Sequence, residues 1–258
     1  MKNLGVVSII TPTFNSSQFI CETIESIINQ TYPYWELLIT DDCSNDKTID
    51  IIQKYILQDS RIKLFKLDKN SGAGICRNNS IMMATGRFIA FCDSDDCWMP
   101  NKLEKQLSFM IEKNCTLSYT SYMTCNEKSN IAGIVVCKKK ITYKDMKHND
   151  GIGCLTAIYD TTEFGKIYLP TLRKRQDWGL WLKILKECKI AYGMKEPLAI
   201  YRIRQNSISS NKLSLIKYNI KVYQEVLQFS KIKSLYYFFF IFLPTYFIHK
   251  TIIYIINK

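Results

Sequence analysis

Val6-Val7-Ser8-Ile9-Ile10-Thr11-Pro12-Thr13-Phe14-Asn15 is the stretch that decides the fold. Its first five residues form a short, nearly continuous apolar run, the pattern of a parallel strand buried on both faces. The strand is expected to end at Pro12, and Asn15-Ser16-Ser17 offers caps for a following helix. Ile20, Ile24, Ile27 and Ile28 then recur at helical spacing, predicting one apolar helix face that runs to about Gln30. Outward from this unit the alternation repeats. Trp35 to Thr40 reads as a strand, Asn45-Asp46 as the cap of a helix through Tyr55, and Ile62 to Leu67 as a third strand. Ile75 to Ala84 reads as a helix, and Arg87 to Cys92 as a fourth, buried strand. Behind Pro100, which a first helical turn tolerates, Leu103, Leu107 and Ile111 predict a further helix. Strand and helix alternating at this density predict an α/β fold, a Rossmann-like, mostly parallel sheet with helices on both faces.

The chain has 258 residues, 47% hydrophobic and 22% charged, which excludes a disulfide-stapled miniprotein, a disordered chain and a collagen-like or coiled-coil architecture. Its net charge of +12 would suit nucleic acid, a membrane surface or a phosphorylated ligand. Only 7 of the 35 basic residues are Arg, the side chain that reads base edges and clamps phosphate in bidentate fashion, so no nucleic-acid partner is expected. From Asn211 onward there are seven Lys and one acid, Glu225, so this fifth of the chain carries half of the surplus. The ten cysteines show no paired Cys-x-x-Cys spacing and read as reduced, buried thiols of a cytoplasmic protein. No signal peptide is expected, because the apolar stretch from Leu4 ends in Thr11-Pro12-Thr13. With His148 and His249 as the only histidines, a His-rich metal site or a Ser-His-Asp triad is excluded.

Sheets of this class bind ligands beyond the carboxyl ends of their strands. Thr11 to Asn15 follows the first strand, Asp41-Asp42-Cys43-Ser44 the second, and Asp93-Ser94-Asp95-Asp96 the fourth, so all three are expected on one rim. Asp93 and Asp95 offer two hard carboxylates suited to Mg²⁺ or Mn²⁺ shared with phosphate oxygens. An Asp pair in a turn is in most proteins a capping or Asx-turn cluster, and Asp41-Asp42 admits the same explanation. Taken together the acids suit a nucleotide-diphosphate site, with groups able to accept from a ribose hydroxyl or a pyrimidine N–H.

These residues carry a resemblance. Val7 to Asn15, Asp41 to Asp46, Arg77-Asn78, Asp93 to Asp96, and Gln176-Asp177-Trp178 with Leu180-Trp181-Leu182 resemble, in order and spacing over about residues 5 to 210, the motifs of family 2 glycosyltransferases. The resemblance implies a GT-A fold and an inverting transferase that uses a nucleotide-diphospho-sugar, expected to be a UDP-sugar, in surface polysaccharide assembly. It implies nucleobase and ribose contacts at Thr11 and Asp42 and a place for Asp93 beside ribose and metal, with Pro12, Asn15, Asp41 and Arg77 also expected in the nucleotide-sugar site. It also implies Asp95 as ligand of Mn²⁺ or Mg²⁺ and Asp177 as the catalytic base. Asp177 opens a helix over Gln176 to Lys186, and Trp178 and Trp181 are expected to stack on the acceptor glycan. Arg77 is expected to brace the acidic rim. The family often carries His where this chain has Arg204, which cannot ligate a cation and is expected to clamp the diphosphate.

Three rival readings are weighed. Gly72-x-Gly74-x-x-Arg77 is half of a dinucleotide fingerprint, but it lacks the third glycine and does not follow the first strand. A sugar-nucleotidyltransferase would need a Gly-rich basic loop where Thr11 to Ser17 stands. A non-catalytic carbohydrate- or nucleotide-binding protein on the same fold differs by failing to turn over a donor. The expected organisation is a catalytic domain over residues 1–210 and a basic, aromatic helical extension over 211–258. In that extension Pro244 and then His249-Lys250 break the apolar run before it reaches the roughly 18 to 20 residues needed to span a bilayer. Lysines beside Tyr- and Phe-rich sequence suit peripheral docking on an acidic cytoplasmic membrane face, where a lipid-linked glycan acceptor would be found.

Overall fold

The computed structural model describes residues 2–204 and 212–253. The predicted alternation is present: β1 (Val7–Thr13), α1 (Ile20–Ile28), β2 (Trp35–Asp41), α2 (Thr48–Ile56), β3 (Ile62–Lys66), α3 (Ala73–Met83) and β4 (Phe88–Phe91). A two-residue β5 (Cys97–Trp98), α4 (Lys102–Lys113), β6 (Leu117–Cys125), β7 (Ile131–Val135), β8 (Lys140–Thr142), α5 (Tyr143–His148) and β9 (Ile158–Asp160) follow. Next come α6 (Gln176–Cys188) and β10 (Ile190–Arg202), then the C-terminal helices α7 (Lys212–Lys221), α8 (Lys231–Tyr236) and α9 (Leu243–Ile253). The strands make one sheet in the order β3-β2-β1-β4-β9-β6-β10-β5, with β7 on β6 and β8 on β10. The half β3-β2-β1-β4 is wholly parallel, and β9 joins it antiparallel to the parallel pair β6–β10.

Two local expectations are corrected. β1 does not end at Pro12 but pairs with β2 through Thr13. The Ile10 carbonyl accepts from Cys92 on the β4 side and pairing to β4 stops at Ile10, so the N–H that Pro12 lacks would have faced an already unpaired edge. The serines before α1 do not cap it through their side chains, since the N-cap is Phe19 without a side-chain bond. Ser16 instead accepts the Phe19 and Ile20 N–H groups on its carbonyl (3.0 Å each), leaving its hydroxyl for the rim described below.

Each sheet face carries a core. Under α1, α2 and α4 lie Ile9, Ile24, Leu37, Ile39, Leu103 and Leu107. On the other face Ile10, Phe91, Tyr159, Trp178, Trp181 and Leu185 pack together with Val222, Tyr223, Phe238 and Phe242 of the C-terminal helices. Tyr223 meets Trp178 edge-on (ring centroids 5.5 Å) and donates from its hydroxyl to the Lys147 carbonyl (2.9 Å). The extension expected to begin at residue 211 therefore shares its core with the catalytic domain. Pro244 lies in the first turn of α9, behind a π-helical stretch over Tyr237–Phe242, and the helix passes through it. No helix among the described residues is long and apolar enough to cross a membrane.

α4 begins on Lys102, which is fully buried, donates to Gln106 Oε1 (2.8 Å) and lies over the Trp98 ring (4.2 Å to the centroid). Gln106 in turn donates to Ser118 Oγ (3.0 Å) and the Thr156 carbonyl (2.9 Å). Burial pushes the Lys102 ammonium down to about 7. In the unfolded chain a lysine titrates near 10.4, so between pH 7 and 10.4 the unfolded state binds more protons and this lysine's penalty on folding eases as pH rises. Lys102→Met, which removes that penalty, is expected to stabilise the protein more at pH 6 than at pH 9. Urea unfolding of both proteins at the two pH values checks this, and an equal or opposite pH effect would show the ammonium to be better solvated than its surroundings indicate.

Candidate active site

The loops after β1, β2 and β4 are joined by hydrogen bonds into the predicted rim. Asp42 N–H donates to the Thr13 carbonyl (2.9 Å), Asn15 N–H to Ser44 Oγ (2.9 Å), and Asn45 N–H to Asn15 Oδ1 (2.9 Å). Ser16 and Ser94 share an Oγ···Oγ hydrogen bond of 2.8 Å that brings in the third loop. Asn15 is exposed at this edge in left-handed backbone (φ 46°), which Asn tolerates better than most residues. Thr11, Pro12 and Thr13 are buried, and neither threonine hydroxyl has a hydrogen-bond partner.

Asp41 and Asp42 are buried and bonded within the rim. Asp41 accepts the Ser44 N–H (2.8 Å) and hydroxyl (2.5 Å). Asp42 accepts the N–H groups of Ser71 (2.6 Å) and Gly72 (2.8 Å), which fixes the entry to α3. Each carboxylate oxygen keeps a further acceptor position, so bracing the loops and meeting a nucleoside are compatible. Asp46 is held by hydrogen bonds from Thr48 and Ser17 that outweigh its desolvation and take its carboxyl down to about 2.

The Asp93–Asp96 turn lies between two arginine systems. From α3, Arg77 donates to Asp93 Oδ1 (2.5 Å) and Gln176 Oε1 (3.0 Å), and burial is outweighed by the carboxylates around it, which raise its affinity for its proton. The approach of α3 to α6 is close enough that a Cβ on Gly74 would lie 3.0 Å from the Gln176 side chain. From the end of β10, Arg202 donates to the Asp95 carbonyl (2.9 Å) and to Glu22 (2.6 Å), and its N–H donates to Asp96 Oδ1 (2.9 Å). Arg204 pairs with Asp95 Oδ2 (2.7 Å). Burial, then the charge of Asp93, raises the Asp95 carboxyl, with Arg204 opposing. Burial, then the charges of Asp95 and Asp93, raise Asp96 well above the usual carboxylate range. No group of three His, Cys, Asp or Glu side chains among the described residues could hold a metal ion. Two crowded carboxylates nevertheless fit Mg²⁺ or Mn²⁺, which commonly take one or two carboxylates and complete their shell with phosphate oxygens and water. Arg204 engages one of the two, so it stands at the acid pair itself.

Asp177, in the first turn of α6, opens into a cleft of about 950 Å³ together with Arg77, Asp93, Asp96, Asp150 and Arg175. Thr11, Asn15, Asp41, Asp42 and Asp95 lie outside that lining, so the rim divides into a loop edge and a cleft, joined through the Ser16–Ser94 bond beside Asp93. Trp178 and Trp181 correct an expectation. Both are fully buried; Trp178 Nε1 donates to the Met146 carbonyl (2.7 Å) and Trp181 packs edge-on against Phe91 (5.6 Å). They anchor α6 and have no face to offer a sugar. The helical spacing that made them conspicuous is the core-facing stripe of α6. The sequence reading missed Asp150 and Arg175, because Asn149-Asp150-Gly151 reads only as a turn and nothing in its spacing brings it beside Asp177.

Residues 8–162 match the model of Glycosyl transferase family 2. The chain is 44% identical over 222 residues to TuaG of Bacillus subtilis, named as a teichuronic acid biosynthesis glycosyltransferase, covering 86% of this chain and 88% of TuaG. It is 43% identical over 213 residues to WfgD of Escherichia coli, a UDP-Glc:alpha-D-GlcNAc-diphosphoundecaprenol beta-1,3-glucosyltransferase, covering 82% of this chain and 83% of WfgD. Among solved structures, S. aureus TarS 1-349 in complex with UDP-GlcNAc superposes with a TM-score of 0.69 at 21% identity, over 90% of this chain and 70% of that one. The mannosyltransferase PcManGT of Pyrobaculum calidifontis, in complex with GDP-Man and Mn²⁺, gives 0.65 at 15% identity, over 95% and 74%. These two share the fold.

If Arg77 is the brace of the acid cluster, Arg77→Met should lower the free energy of unfolding by about 2–3 kcal/mol. That is less than the ~3–5 kcal/mol of a wholly buried broken pair, because Asp93 is 31% exposed. Arg77→Lys should fall between, keeping the charge but unable to reach both partners. Denaturant titration measures both, and a loss under about 0.5 kcal/mol for the Met variant would remove Arg77 from this role.

Proposed function

Because this chain belongs to glycosyl transferase family 2, we propose that it moves a hexose or N-acetylhexosamine from a UDP-linked donor to a hydroxyl of a lipid-linked glycan, with inversion, in surface polysaccharide assembly. The observation that carries this reading is the shared cleft: Asp177 lines the same cavity as Asp93, at the point where the loop edge ends. A base and a diphosphate site on one cleft are what a single displacement needs. The relatives support the finer terms. WfgD bears a UDP-sugar donor, a lipid diphosphate acceptor and a beta product in its name, and TarS has been seen with UDP-GlcNAc.

In the proposed reaction Thr11, Pro12, Asn15, Asp41 and Asp42 hold the nucleoside, and Arg77 keeps Asp93 oriented toward the diphosphate. Asp177 takes the proton of the acceptor hydroxyl as that oxygen bonds to the anomeric carbon, and the nucleoside diphosphate departs from the opposite face. A divalent ion held by Asp95 and Asp93 would, when bound, neutralise charge on the leaving diphosphate. Arg204, beside Asp95, brings a second cation to the same place. A panel of UDP-hexoses, UDP-N-acetylhexosamines and GDP-mannose, with N-acetylglucosamine linked to an alkyl diphosphate as acceptor, tests the reading. A UDP-sugar should release UDP and form a β-linked product, chelator should abolish turnover, and Asp177→Asn should lower kcat by about 10²-fold or more at a nearly unchanged donor KM. Retained configuration, or full activity in chelator, would overturn the corresponding part.

The residues given roles here lie between Thr11 and Arg204, and the C-terminal helices are proposed to add a membrane-facing surface. α8 to α9 turn Phe238 and Phe242 inward onto Trp178 while Ile232, Tyr236, Phe239, Phe240, Phe247 and Ile248 remain exposed. Lys231 and Lys233 stand at the start of that face, and each lysine near an anionic surface contributes about 1 kcal/mol. Truncation after Gln228 would strip Phe238 and Phe242 from the core, so surface substitutions are the cleaner test. Wild type should cosediment with vesicles containing acidic phospholipid at low salt and less so at high salt. The triple variant I232S/F239S/F240S should lose at least about threefold in binding with an unchanged unfolding midpoint. Equal cosedimentation of the two would show that this face does not contact the bilayer.

A further inference from the structure

Asp150 sits in the cleft wall with its side chain only 10% exposed, and its Oδ1 has no hydrogen-bond partner. Arg175 Nη1 stands off at 3.4 Å from Oδ2, and the Arg175 Nε is also inaccessible and without a hydrogen-bond partner. Arg175 is a non-glycine residue in left-handed backbone (φ 63°) at the N-cap of α6, two residues before Asp177. A buried carboxylate and a half-buried arginine thus each turn an unsatisfied, inaccessible atom toward the same cavity wall, and leaving such an atom unpaired costs about 1–3 kcal/mol.

The chemistry of the wall restricts what could fill them. At Asp150 itself a bound anion is disfavoured, because its own carboxylate and the neighbouring charge of Asp177 repel one. A neutral hydroxyl suits both atoms, because it can donate to a carboxylate oxygen and accept from an N–H. It also suits a carboxyl that burial and then the charge of Asp177, against Arg175, push up to about 8, since a hydroxyl serves either protonation state. Resting on the reading of Asp177 as the base that meets the acceptor, we infer that Asp150 and Arg175 are the acceptor-positioning pair, holding a sugar hydroxyl next to the one that attacks. Asp150 acts through this contact on the placement of the attacking oxygen before Asp177, and so on which linkage forms.

The test uses the full chain, a UDP-sugar that it turns over, and N-acetylglucosamine on an alkyl diphosphate with its monodeoxy analogues. Asp150→Ala should raise the acceptor KM about tenfold or more while the donor KM moves less than about twofold, and Asp150→Asn, which can still bond a hydroxyl, should recover most of the loss. One deoxy analogue should be a poor acceptor for wild type and no worse than the parent sugar for the Ala variant. Thermal unfolding of each variant identifies a folding defect, and the Asn variant keeps the test valid if Ala fails to fold. An acceptor KM within about twofold of wild type in Asp150→Ala, or a parallel rise in both KM values, overturns the inference while leaving the transferase reading intact. Absence of turnover by wild type with every UDP-sugar overturns that reading and this inference with it.

Discussion

Carboxylates gathered at one end of a sheet repel one another, and the buried guanidinium of Arg77 is what makes the gathering stable. It reaches Asp93 on the β4 loop and Gln176 at the start of α6, so a single side chain fixes the distance between the end of the parallel sheet and the helix that carries Asp177. Arg202 does the same from the opposite side, binding the backbone of the Asp95 turn to the end of β10. The acid cluster is thus held by cations from α3 and from the end of β10, and its geometry depends on their packing. That is why the site lies on rigid structure although the acids themselves lie in loops.

Much of the fold was legible because its first half obeys local rules. Buried parallel strands are short apolar runs, amphipathic helices repeat at 3.6 residues, and the polar loops fall where parallel topology puts binding sites. The elements after residue 115 were obscure for a physical reason. β9 has three residues and β8 three, both antiparallel to longer strands, and such pieces gain their stability from their neighbours more than from their own sequence. The site was legible to the same extent. Asp42, Asp93 and Asp177 follow strands or begin helices, whereas Asp150 reaches the cleft through a turn whose direction only tertiary packing sets. Trp178 and Trp181 show the converse failure: an aromatic beside a reactive acid looks like a sugar platform until the helix phase is known, and here the phase turns both rings into the core.

The C-terminal helices also separate sequence from structure. Their composition set them apart as a basic, aromatic appendage, yet Val222, Tyr223, Phe238 and Phe242 complete the core around Trp178. Thr245, from α9, even lines the cleft. These helices therefore cover α6 with one face and leave apolar side chains such as Phe239, Phe240 and Phe247 exposed on the other.

β9 is a narrow seam. Three residues, Ile158 to Asp160, connect the β3-β2-β1-β4 half of the sheet to the β6–β10 half. The loops of the first half close on one another through their own hydrogen bonds, while the wall that carries Asp150 comes from the segment between β8 and β9 on the other side. Inheritance can therefore alter the two halves at different speeds. Exchanges between residues 143 and 153 can reshape the wall that carries Asp150 without touching the hydrogen bonds that join the loops after β1 and β2. A sheet joined by so short a strand can vary that wall while the loop edge keeps its own bonds.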